Sequence, residues 1–118
     1  MSYAVYKVLH LLGLMLLFFA LGGYTLKGKP EAKAERILLA VCHGVGLLLM
    51  LVAGFGLLAR LGFKGAPGWA WAKVGLWVVF GAAPVVIKKT PERLRPIWAV
   101  LTLLGTLAAY LAIAKPFA

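Results

Sequence analysis

"HLLGLMLLFFALGG" occupies residues 10–23, and "HGVGLLLMLVAGFG" occupies residues 43–56. Each opens on one of the chain's two histidines, sets a glycine three residues later and continues as hydrocarbon. Six of the fourteen positions match in register, which either a duplication or a shared packing need would produce. A helix of about 20 such residues is what a hydrocarbon core of about 30 Å requires. Extended outward, the same reading gives four apolar stretches, at about 3–26, 35–60, 69–87 and 95–114.

Composition agrees with this reading. The chain has 118 residues, 64% of them hydrophobic, and a mean hydropathy of +0.98. Soluble domains are about 45–50% apolar, so the expectation is one integral membrane domain over residues 1–118. The breaks carry turn chemistry: "YTLKGKPEAKAER" (24–36), "LGFKGAPG" (61–68) and "KKTPERLRP" (88–96). Connections this short predict an all-α, four-helix transmembrane bundle with antiparallel up-down-up-down order. The first stretch is a poor signal peptide, because only Lys7 precedes its apolar run.

Net charge is +10, yet the cations sit in short loops between apolar runs. That pattern fits topology signals and contacts with anionic lipid headgroups rather than nucleic acid. Lys27, Lys29, Lys33 and Arg36 fall in the first loop, and Lys88, Lys89, Arg93 and Arg95 in the third. Arg60, Lys64 and Lys115 fall at the other end, with Lys7 and Lys73 near it. The positive-inside rule therefore places loops one and three in the cytoplasm and both termini outside a cytoplasmic membrane. The chain contains no Asn, Gln or Asp and a single cysteine, Cys42, a composition expected of a thermophilic source.

An ionisable group within a span is costly and is a functional candidate by default. The candidates are Lys7, His10, His43 and Lys73. All three acids (Glu31, Glu35 and Glu92) are in loops, which argues against a cation-coupled transporter of the small multidrug-resistance kind. At 1.5 Å per residue, His10 lies about 10 Å into the first helix. Lys73 enters the third helix from the same face to a similar depth. His43 enters the second helix from the opposite face. Counting thus sets the two histidines about 10 Å apart along the bilayer normal. A haem clamped between them needs its axial nitrogens only about 4 Å apart, twice a metal–nitrogen distance of about 2 Å. Counting instead pairs His10 with Lys73 and leaves His43 to a hydrogen bond or to another subunit. On the fourth helix Thr102, Thr106 and Tyr110 recur every four residues, a mildly polar face expected to turn inward or toward a second subunit.

The order of "YKVLH" (6–10), "HGVGLLLMLVAGFGLL" (43–58) and "PGWAWAKVGLWVVF" (67–80) resembles the SirB family of small integral membrane proteins. The resemblance covers most of the chain, and its polar positions are Lys7, His10, His43 and Lys73. It implies a four-helix membrane protein with no established reaction. The chain departs from the family pattern after the second histidine, where no acid follows. A more distant likeness is to HemJ-type protoporphyrinogen oxidases and CopD-like copper-resistance proteins, whose outline His10 and Lys73 fit. The Trp-Gly and Pro-Arg elements of the former are absent after His10. Neutral imidazole is a common haem ligand, so one expectation is a SirB-like protein that binds haem b or another tetrapyrrole, with His10 and His43 as axial ligands and Lys73 and Lys7 as further contacts. The alternative is a non-catalytic membrane protein acting through partner helices, homo-oligomerisation or lipid.

Overall fold

A computed structural model describes residues 2–27, 30–62 and 67–114. Lys29, Lys64 and Lys115, and the side chain of Lys27, lie outside the described residues. Four helices account for nearly all of the rest: α1 (Tyr3–Lys27), α2 (Lys33–Arg60), α3 (Gly68–Lys89) and α4 (Leu94–Ala114). A 3₁₀ turn over Pro91–Arg93 leads into α4. Each helix begins and ends within two residues of its expected span. All four are long and apolar enough to cross a membrane.

Local chemistry sets the ends. α2 stops at Gly62, whose φ of +88° is the left-handed geometry that glycine adopts without a Cβ clash. Its N–H donates to the Ala59 carbonyl at 3.2 Å, so one of the last carbonyls of α2 is satisfied. α3 starts directly after Pro67, and it ends at Thr90, the residue before Pro91, where helical geometry is disfavoured.

The apolar surface is distributed as lipid solvation requires. Phe19 is 75% exposed, Leu26 85% and Ile113 83%. An exterior this apolar would be unusual on a soluble monomer. The interior is comparatively small. Its main cluster joins Leu17, Leu21 and Tyr24 of α1, Phe80, Ala83 and Ile87 of α3, and Leu101 of α4. Phe18 meets Phe80 edge to face with ring centroids 5.2 Å apart, and it also lies against Gly105 of α4. A second cluster, at the other end, packs Trp69 and Ala70 of α3 against Leu111 of α4.

α1 and α2 form the tightest pair, and their contacts run in opposite chain order. Tyr6 lies against Gly56, His10 against Gly54, Gly13 against Gly46 and Met50, and Gly23 against Leu39. Positions 6, 10, 13 and 17 on α1 step by four, three and four, the spacing of a coiled-coil seam. Lipid tails are as apolar as leucine, so burying hydrocarbon does not by itself hold helices together. Close backbone approach through small residues does.

Candidate functional site

The repeated His-x-x-Gly units meet at one crossing. A Cβ on Gly13 would lie 2.9 Å from the Gly46 carbonyl oxygen, and one on Gly46 would lie 2.8 Å from that of Gly13. The two backbones are therefore in van der Waals contact, with no room for any side chain between them. Each histidine sits one turn before its glycine, on helices whose contacts run in opposite order. They consequently leave the crossing in opposite directions: His10 lies level with Met50 and Gly54, seven to eleven residues beyond His43 on α2, or about 10–16 Å along the helix at about 1.5 Å per residue. The matched glycines of the two segments thus meet at one crossing point, and their histidines do not form a facing pair.

His10 hydrogen-bonds through Nδ1 to the Met50 carbonyl oxygen at 3.0 Å. A carbonyl only accepts, so the proton is on Nδ1 and Nε2 carries the lone pair. In a helix Met50 O also receives the N–H of residue 54, and the absence of a side chain at Gly54 opens the notch that the imidazole fills. A Cβ there would approach His10 Cε1 to 3.3 Å. The charges of Lys73, in the second turn of α3, and of Lys7, one turn earlier on α1, both act on His10. The structure therefore brings His10, Lys73 and Lys7 into one electrostatic neighbourhood.

His43 is not part of it. Its Nε2–H donates to the Phe80 carbonyl oxygen of α3 at 3.0 Å. The reason lies four residues further along α3. Phe80 O would ordinarily accept the N–H of residue 84, but residue 84 is proline, has no N–H and pushes the carbonyl aside. Within a bilayer an orphaned carbonyl has no water to turn to and costs several kcal/mol (roughly). His43 supplies the missing donor from a neighbouring helix. Its ring is further held edge-on by Tyr24, with centroids 6.4 Å apart, and Lys88 Nζ lies 5.3 Å from the centre of that tyrosine ring.

A third staple completes the set. Trp77 Nε1–H donates to the Leu47 carbonyl oxygen at 2.9 Å, from α3 to α2 and so opposite in direction to the His43 bond. Among the described residues no buried side-chain nitrogen or oxygen lacks a hydrogen-bond partner. The rings of His10, His43 and Trp77 are thus interhelical staples aimed at backbone carbonyls, while the buried Thr25 hydroxyl stays within α1 by donating to Gly22 O. Among the described residues there is also no group of three or more His, Cys, Asp or Glu side chains able to hold a metal ion. Cys42 is half-buried and in no disulfide.

The hydroxyl face of α4 does not turn inward as the sequence reading allowed. Thr102, Thr106 and Tyr110 are exposed. Thr102 Oγ1 donates to Trp98 O at 2.9 Å and Thr106 Oγ1 to Thr102 O at 3.0 Å. Both threonine hydroxyls are thus satisfied by the backbone of their own helix.

Sequence reasoning did not identify the Phe80 carbonyl or the Trp77 staple. The first had a signal: a proline inside an apolar helix always strips a donor from the carbonyl four residues before it. The second had none, because only helix rotation decides which carbonyl an indole reaches. No protein-family model, curated protein or solved structure matches the chain.

Proposed function

We propose that the chain is a non-enzymatic, SirB-like protein of the cytoplasmic membrane, with both termini outside, that works by seating a further transmembrane helix on α4. A second copy of the chain is the simplest partner. One observation carries this reading. Ala99, Thr102, Thr106 and Ala109 step by three, four and three along α4, and all are exposed. That spacing places small side chains in a single seam. Small residues are what let helices associate in lipid, and the chain already uses the device at Gly13 and Gly46. The expected result is a dimer in mild detergent or in liposomes, read by cross-linking or energy transfer. Thr106→Leu fills the seam and is expected to shift the population to monomer. Val100→Ala, away from the seam and 52% exposed, is expected to leave the dimer intact. A wild-type chain that stays monomeric at every protein-to-lipid ratio would remove this reading.

The His10 neighbourhood favours a second reading, in which the chain binds haem b or a related tetrapyrrole. Clamping between His10 and His43 does not fit, because the rings leave the crossing in opposite directions and His43 is committed to Phe80 O. A single axial contact from His10 does fit the donor set. Its Nε2 keeps a lone pair suited to iron, and Lys7 and Lys73 supply two cations for two propionates. Bound haem would contribute a redox-active or ligand-binding iron, while His10 would fix its axial side and the lysines its orientation. Protein purified with haem available is expected to show a Soret band that His10→Ala abolishes and His43→Leu retains. Colourless protein that takes up no added haem would eliminate this second reading.

A further inference from the structure

At the end of the bundle that carries the first and third loops, the last turn of α1 and the first turn of α4 flank an open crevice of about 350 Å³. Its walls are Thr25, Leu26, Leu94, Arg95 and Trp98. This volume is at the low end of ligand pockets in general. The lining has two parts. Leu26, Leu94 and Trp98 are apolar, and Arg95 is a fixed cation at the same level. Thr25 contributes no open donor, because its hydroxyl is engaged with Gly22 O at 3.0 Å. The surrounding end of the molecule is positive. Lys33, Arg36, Lys88, Lys89, Arg93 and Arg95 outnumber Glu31, Glu35 and Glu92, which are all the acids the chain has.

We infer that this crevice holds the headgroup and first methylenes of one anionic phospholipid. The inference rests on the membrane placement and does not require a partner on α4. The chemistry divides along the lining. Guanidinium is the side chain best shaped to take a phosphate through two parallel hydrogen bonds. Tryptophan is the residue that settles at headgroup depth with its ring against hydrocarbon. The acyl chain then continues down the exposed apolar flank that Leu26 begins. A free phosphate would use Arg95 and gain nothing from the three apolar walls. A zwitterionic lipid would fill the walls but bring its own cation toward a positive end. An anionic lipid satisfies both parts.

The test uses the full chain in neutral detergent, titrated with phosphatidylglycerol or phosphatidylcholine, with bound lipid counted by native mass spectrometry. One phosphatidylglycerol is expected to bind saturably and about fivefold more tightly than phosphatidylcholine, the scale of one basic residue at an anionic surface. Arg95→Gln is expected to erase that preference. Arg93→Gln, which removes the same charge from the neighbouring 3₁₀ turn, is expected to keep it. Trp98→Leu leaves every charge in place and is expected to weaken binding of both lipids; it decides the matter if Arg95→Gln loses helix content by circular dichroism. Equal losses in Arg95→Gln and Arg93→Gln would overturn the site in favour of diffuse attraction to the basic end. Displacement of the lipid by inorganic phosphate, or equal retention of the two lipids, would overturn it as well.

Discussion

Replacing His43 by leucine is expected to destabilise the folded bundle by about 1–3 kcal/mol, the cost of leaving a buried acceptor unsatisfied. Leucine keeps much of the side-chain volume, so the loss reports the missing donor rather than a cavity. The same substitution made in a Pro84→Ala background is expected to cost much less. Alanine restores an N–H at residue 84, and that N–H reaches the Phe80 carbonyl through the ordinary helical bond. The edge contact between His43 and Tyr24 is lost in both backgrounds and cancels in the cycle. Unfolding in mixed micelles of the wild type, the two single variants and the double variant measures the coupling. Independent sites add to within about 0.5 kcal/mol, so an additive result would mean that His43 does not serve the carbonyl that Pro84 vacates.

The glycine crossing yields the other large effect. A Cβ on Gly46 would stand 2.7 Å from the Leu17 backbone nitrogen and 2.8 Å from the Gly13 carbonyl oxygen. Neither neighbour is a flexible side-chain tip, so α1 as a whole must retreat. Gly46→Ala is therefore expected to cost about 1–3 kcal/mol, the range for overpacking a close-packed interior. Gly46→Leu is expected to separate α1 from α2 and to prevent folding. Gly44 is the internal control, with nothing within 4 Å of its would-be Cβ. Gly44→Ala is expected to be neutral or to stabilise by up to about 1 kcal/mol, because alanine is the better helix former. Indistinguishable unfolding curves for Gly46→Ala and Gly44→Ala would show that the two backbones do not touch.

These two devices have the same origin. In water a bundle is held by burying hydrocarbon; in lipid that driving force between helices is lost, and van der Waals contact and hydrogen bonds remain. The chain uses glycine for the first and three ring N–H groups for the second. His10, His43 and Trp77 each aim at a backbone carbonyl of a different helix. A ring N–H is well suited to this task, since it ends a rigid side chain and donates in one direction.

Hydropathy alone determined the number of helices and their limits to within two residues, because a span is a one-dimensional property of the chain. Charge alone set Lys7, His10, His43 and Lys73 apart, because ionisable groups are rare in a span. Depth counting also separated the two histidines, since distance along a helix follows from residue number. Helix rotation and neighbour choice are not one-dimensional, and the tertiary structure decided them. It turned Thr102 and Thr106 outward and drove Gly13 onto Gly46. It also gave His43 the Phe80 carbonyl that Pro84 leaves open. A 3.6-residue period fixes which side chains share a face but not which helix that face meets, and every interhelical hydrogen bond here depends on that second fact.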